Sequence, residues 1–281
     1  MTSSVGQKTW QARTWRFILA AVVTLLAAVW AFPFVWAAVL SVKESSDIVS
    51  NLWSLPKRPT LDNYRGALDG LSYGRSLGNS LFVSTSAALL QCATGTLAAF
   101  AFARLSFPGR DLIFTAFLAT LMIPTSVTLT ANFLILRDLG MIDTYWALII
   151  PSAASGFAIF LLRQFFLTIP RELQDAAKID GAGPLRFLWH VVMPLSRPAL
   201  TTVFVFIFIS NYNEFLWPLI MTTSERLWVV QIALSTFTDA EGATSFGPLM
   251  AAAVLTLAPT IALFALLQRA FVRGISRTGI K

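Results

Sequence analysis

The sequence predicts an all-helical membrane protein of six spans, and three observations predict it. Hydrophobic residues make up 56% of the 281 and charged residues only 12%, about half the charge that a soluble domain needs to cover its surface. Uncharged runs long enough to cross a bilayer core of roughly 30 Å recur six times along the chain. The cations between those runs crowd onto one side, as expected of a chain that threads a membrane repeatedly.

The first run lies between Arg16 and Lys43. It is too long and too poor in small-residue cleavage sites for a removable signal peptide, so it should remain as an anchor. Its Pro33 is tolerable where neighbouring groups satisfy the freed carbonyl, and Trp30 and Trp36 read as interface anchors or packing. Residues 43 to 75, with Pro56, Pro59, Asp62 and Asn63, are too polar to cross and form an outer segment. The second run, Arg75 to Arg104, holds Cys92, the only cysteine, so no intrachain disulfide is possible.

The third run extends from Asp111 to Arg137 and carries Asn132, which either bonds a neighbouring helix or faces a solute pathway. The fourth, Asp143 to Arg163, contains Pro151, Ser152, Ser155 and Gly156, small residues that allow close helix approach. The fifth starts at Arg197 and reaches about Ile220, interrupted by Asn211, Asn213 and Glu214. A second polar outer segment, 221 to 248, has a small-residue tip over 238–244, and the sixth run fills Glu241 to Arg269.

Orientation follows from charge. With a cytoplasmic amino terminus, the inner segments hold 14 of the 21 cations and four of the 14 acids, leaving +10 inside and −3 outside. Both termini then face the cytoplasm. The total of +7 therefore reports topology, since the chain lacks the basic soluble face of a nucleic-acid binder. No phosphate-cradling Gly-x-x-x-x-Gly-Lys-Ser/Thr run, dinucleotide glycine fingerprint or metal-spaced Cys/His cluster occurs, and His190 is the single histidine. No catalytic site and no bound cofactor are expected; any fuel must be consumed by another chain.

Between the fourth and fifth runs lies a soluble-looking stretch, 166 to 198. Good helix formers over 171–180, with Pro170 upstream and Gly181 able to supply a left-handed residue, predict one short helix. Gly181, Gly183 and Pro184 force a turn, and a second short helix from Leu185 should stop at Pro194. By composition alone this is either a passive connector or a lever that a partner pushes. Asp175-Ala176-Ala177, Gly181 four residues on, and Val191-Val192-Met193-Pro194 starting ten residues beyond that resemble the coupling loop of binding-protein-dependent ABC importer permeases. The pattern there is Glu-Ala-Ala, three residues, Gly, nine residues, Ile-x-Leu-Pro; Asp175, Val191 and Met193 are conservative departures.

The resemblance covers roughly residues 60 to 281. Asn79-Ser80-Leu81, Ala98 to Arg104, Phe107-Pro108-Gly109-Arg110, Met122-Ile123-Pro124, Leu139 to Thr144, Arg163-Gln164-Phe165-Phe166 with Ile169-Pro170, and Asn213 to Leu219 look like the carbohydrate branch, as in the maltose-type second permease. The fragment 163–166, the Pro218 region and Gln268 to Gly274 are also similar to the glycerol-3-phosphate permease. What the resemblance implies is the type I importer permease fold: a cytoplasmic segment over 1–16, a six-helix domain over 17–272 with a coupling loop at 166–198, and a cytoplasmic tail over 273–281. It also implies a heterodimer with a second permease, two ATP-binding subunits that carry the ATP and magnesium, and an extracytoplasmic solute-binding protein.

Residue roles follow from that resemblance. Glu172, Asp175, Ala176, Ala177, Asp180 and Gly181 would meet the ATPase, acids docking against cations while small residues allow close approach. Gly279 and Lys281 would reach the ATPase dimer, unless the basic end simply lies at the headgroups. Asp239, Glu241 and Gly242 would enter the binding protein, or form an inert turn. An ionisable group at membrane depth is a functional candidate: Glu214, with Asn211, Asn213 and Trp217 within helical reach and Asn132 on the third run, would suit a sugar, or Glu214 marks a helix end or pairs with the partner permease. Glycerol-3-phosphate or a related polyol phosphate is the alternative solute. An ion-driven secondary transporter is the competitor from another class, and would normally carry more intramembrane acids and inverted repeats.

Overall fold

The structure is a computed structural model that describes the backbone of residues 3–69, 73–238 and 246–278, and within these the side chains between 15 and 268. Every regular element among them is a helix. The chain forms two compact units, one joining the residues up to Asp69 with Phe237–Leu255 and the other holding the rest.

The first unit carries α1, Ser3–Ser41, whose apolar side chains from Trp15 to Val35 are exposed, the composition of a lipid-facing or partner-facing span. Its carboxyl end is tied to the polar segment that follows. The Lys43 ammonium is fully buried and donates to the Asn51 carbonyl, the Ser54 carbonyl at 3.0 Å and the Ser54 hydroxyl at 2.9 Å, which is how a buried charge avoids a large desolvation cost. The Asn63 amide donates to the Ser41 and Lys43 carbonyls at 3.0 and 2.7 Å.

The second unit is built on α2, Tyr73–Arg104. Its buried stripe is small and polar (Ser80, Ser84, Ala87, Ala88, Gln91, Gly95, Ala99), and in lipid, where apolar side chains gain nothing by leaving the solvent, such residues let backbones approach closely. A Cβ on Gly95 would lie 3.0 Å from that of Ala158. Buried Tyr73 and Tyr212 both bond Thr256, the second by donating to its carbonyl at 2.9 Å.

Three helices are long and apolar enough to cross alone: Trp15–Ser41, Tyr73–Arg104 and Phe246–Gln268, the last within α11, Phe246–Thr278. Three further candidates are bent pairs, so the spans number three to six among the described residues. The third run is two helices, α3 (Arg110–Thr120) and α4 (Thr125–Asp138), at 97°: Pro124 has no N–H to donate and disfavours helix at Ile123. The fourth is α5 (Tyr145–Ser152) and α6 (Gly156–Leu167) at 43°, with the Ser155 hydroxyl accepting from the Ala158 amide at 3.3 Å. The fifth, α9 (Arg197–Tyr212), stops at Asn213 and helix resumes as α10, Leu216–Met221.

Between α6 and α9 stand α7, Arg171–Ile179, and α8, Pro184–Leu195, the latter at 81° to α9. The expected stop comes one residue past Pro194, at Leu195, ahead of the bend into α9. A wide π-turn over Leu188–Val192 loosens the hydrogen-bond ladder just ahead of the proline, and the helix runs on to Leu195; such a turn accommodates a residue that cannot donate.

Candidate functional site

Two sites emerge in the second unit: the polar hairpin and a cavity among α4, α5, α9 and α10. The hairpin begins with Pro170 ahead of α7 and Glu172 in its first turn, where the helix dipole favours an anion. It ends in a Schellman motif: the Ala182 amide donates to the Ala177 carbonyl at 2.8 Å, the Gly181 amide to Lys178 at 3.0 Å, and Gly181 takes φ +73°. That left-handed turn is the reason for glycine here. Glu172, Asp175, Ala176, Asp180 and Gly181 are exposed and Ala177 half-buried; Asp175 pairs with Lys178 at 3.3 Å.

The base of the hairpin is fastened to the bundle. The Arg104 guanidinium, at the end of α2, donates to the Phe166 and Ile169 carbonyls that close α6, and the Gln174 amide reaches back to the Arg104 carbonyl at 3.4 Å. Arg163 donates to the Phe102 carbonyl at 3.3 Å and lies over the Phe114 ring at 4.1 Å. From α8, Phe187, Leu188 and Val192 are buried, with Phe187 against Phe100. One face of the hairpin is thus anchored and the acidic face stands free in the chain. Arg104 and Gln174 received no role from the sequence, because spacing along one chain does not reveal which carbonyls a distant helix end presents.

The cavity, about 320 Å3, is lined by Asn132, Asn211, Glu214 and Trp217, joined by Thr125, Thr128 and Ser152. Four of the five residues singled out for a pathway therefore meet in one place. Asn213 does not: its amide donates to the Ile209 carbonyl at 3.0 Å and its oxygen accepts from Gln231 at 3.4 Å. A helix advances about 100° per residue, so Asn211 and Asn213 cannot share a face. Glu214 accepts the Trp217 amide at 3.3 Å and so starts α10, and the Trp217 indole donates to the Ala147 carbonyl at 3.1 Å, which fixes its plane. Thr125 and Thr128 line the cavity just past the break at Pro124, the Thr128 hydroxyl donating to the Thr125 carbonyl at 3.0 Å.

Asp239, Glu241 and Gly242, and likewise Gly279 and Lys281, lie outside the described residues. Among the described residues, no three His, Cys, Asp or Glu side chains gather as a metal site.

Residues 93–277 match the family model described as "Binding-protein-dependent transport system inner membrane component". The sn-glycerol-3-phosphate transport system permease protein UgpE of Brucella abortus (strain 2308) is 38% identical over 257 residues, 88% of this chain and 91% of that one. Its counterpart in Rhizobium meliloti (strain 1021) is 37% identical over 256 residues, with the same coverage. Among solved structures, a chain of a bacterial ABC transporter involved in the import of the acidic polysaccharide alginate superposes with a TM-score of 0.82 at 23% identity, over 93% of this chain and 98% of that one. A chain of the alginate transporter in complex with alginate pentasaccharide-bound periplasmic protein gives 0.65 at 16% identity, with the same coverage. These likenesses are of fold.

Proposed function

The chain belongs to the binding-protein-dependent transport system inner membrane components, a permease of an ABC importer, and from that premise we propose that α7 and α8 form the coupling element through which separate ATPase subunits drive it. The observation that carries this reading is the division of the hairpin into an anchored base, held by Arg104 and Gln174, and an exposed acidic face. A cleft lined with Arg or Lys on the ATPase would accept Glu172, Asp175 and Asp180, and a push on α7 would travel through Arg104 into α2. Both termini and the hairpin are cytoplasmic in this reading, the bent pairs of the third and fourth runs each cross once, α9 continued by α10 makes the fifth crossing with α8 left on the cytoplasmic side, and a second permease completes a heterodimer fed by an extracytoplasmic binding protein. This chain catalyses nothing; ATP and magnesium belong to the ATPase.

The solute passes by the cavity at Glu214. Hydroxyls, two amides, a carboxylate and an oriented indole match a polyhydroxylated solute, whose hydroxyls need hydrogen bonds and whose apolar ring face stacks on the indole. A sugar is the solute this lining fits. The second reading is glycerol-3-phosphate, favoured by the relatives at 37–38% identity.

A photocrosslinker at Ala176 tests the coupling element: it should capture an ATP-hydrolysing chain in intact cells, and consistent failure to do so overturns the assignment. Copurification of a second permease and an ATPase separates the importer from an ion-driven carrier. Uptake by Glu214→Gln and Trp217→Ala variants, compared for sugars and glycerol-3-phosphate, assigns the solute; unaltered uptake of every solute removes the cavity from the path.

A further inference from the structure

A larger cavity, about 650 Å3, opens elsewhere in the second unit, beside the amino-terminal turns of α2 and the start of α5. Two arginines line it, Arg75 on α2 and Arg226 in the segment before α11, and both are exposed. Three aromatic rings line it beside Thr144, Ile149 and Leu227: Phe82 and Tyr145 meet edge to face at 5.2 Å, and Trp146 is the third.

Asn79 builds this site. Buried one helical turn beyond Arg75, its amide donates to the carbonyls of Arg226 and Trp228, each at 2.9 Å, and its oxygen accepts the Tyr145 hydroxyl at 2.8 Å. Ser80 extends the clasp by accepting the Val230 amide at 2.7 Å. The acid among the lining residues, Asp143, is occupied elsewhere. Its Oδ1 accepts the Thr223 and Ser224 amides at 3.0 and 2.9 Å, and both oxygens accept the Ser224 hydroxyl. Its own backbone is left-handed, φ 60°, a conformation few residues other than glycine adopt but asparagine and aspartate tolerate. The carboxylate thus serves the 223–224 backbone and feels the Arg226 charge only at a distance, so that among the described residues no ion pair engages either guanidinium.

We propose that this cavity binds a phosphate ester, the phosphoryl oxygens held by Arg75 and Arg226 and the organic remainder against Phe82, Tyr145 and Trp146. Guanidinium forks match phosphate oxygens bidentately, and a cavity of this size with aromatic walls has room for more than a bare anion. The ester is either a soluble phosphate monoester or a phospholipid headgroup, whose chemistry at the phosphorus is shared. The proposal is independent of which solute passes Glu214 and of the ATPase reading.

The test uses the full-length chain with its copurifying partners in dodecyl maltoside, a detergent without phosphate, titrated calorimetrically with glycerol-3-phosphate, with dihexanoyl phosphatidylglycerol, and with glycerol. At least one phosphate ester should bind and glycerol should not; the R75Q/R226Q pair should weaken that binding about ten-fold or more, the loss of one well-made ionic contact. Binding of glycerol-3-phosphate identifies a solute site and binding of phosphatidylglycerol a lipid site. Should the pair fail to assemble, R226Q alone decides, with a weakening of about three-fold or more. Absence of binding to the wild type, or equal binding to wild type and variants, overturns the proposal.

Discussion

At the residue scale, acceptors that no local pattern foretells do much of the positioning. Asp143 holds residues 223–224 through two amides and a hydroxyl, and its pKa is pushed below the usual carboxylate value, first by the Ser224 backbone amide and then, against the opposing desolvation, by the Ser224 hydroxyl, the Thr223 amide and the Arg226 charge. A depressed carboxylate contributes fully above its unfolded value near 3.9 and loses that contribution as pH falls through the lower folded value. Hydrogen exchange at the Thr223 and Ser224 amides should therefore stay protected at neutral pH and open only under acid, whereas Asp143→Asn, which keeps the left-handed backbone but not the charge, should exchange about five-fold faster at neutral pH, for roughly 1 kcal/mol of charge-assisted bonding lost. Equal protection in the two proteins would show that the charge does not matter. Glu214 and Trp217 were named from residue type and helical reach, and the structure unites them because each also has a structural bond to make, Glu214 at the start of α10 and Trp217 to Ala147.

At the element scale, two glycines make opposite demands. Gly95 is a matter of space: α2 and α6 approach until a Cβ would press on that of Ala158. Gly95→Val should lower bundle stability by about 1–3 kcal/mol through overpacking, seen as a reduced melting temperature in detergent and partly restored by adding Ala158→Gly; an unchanged melting temperature would contradict the close packing. Gly181 is a matter of conformation, for nothing lies within 4 Å of the place a Cβ would take. Gly181→Val should cost about 1–2 kcal/mol locally by forcing a bulky residue left-handed, shifting the hairpin's population by a factor of roughly 5–30. Membrane insertion should persist while uptake and ATPase stimulation fall. Normal uptake by that variant would speak against the coupling role.

At the scale of the whole molecule, a push on the hairpin in the proposed importer would enter the second unit through the bonds at its base, two of which Arg104 makes. Arg104→Met should leave the Phe166 and Ile169 carbonyls without their donor, at about 1–3 kcal/mol for buried groups, and should separate ATP hydrolysis from uptake in the assembled importer: hydrolysis continues, and solute accumulation drops. An importer carrying Arg104→Met that accumulates solute at the wild-type rate would remove Arg104 from the transmission path.

The sequence by itself determined the helical class and the membrane setting, because charge is costly to hide in lipid and its placement is written along the chain. It also determined the hairpin: Pro170 and Gly181 are local instructions, and α7 begins and ends where they dictate. Only the tertiary structure decided the rest. Pro124 stands in a 97° break ahead of α4, whereas Pro194 lies inside the last turn of α8, after a widened π-turn and just before an 81° bend, since a proline's effect depends on whether neighbouring backbone can shift its hydrogen bonds. Asn132, Asn211, Glu214 and Trp217 share a cavity that Asn213 leaves, and Arg104 finds the end of α6 from the end of α2. Contacts between residues tens of positions apart are fixed by how helices cross, and crossing is set by the small side chains of many positions acting together.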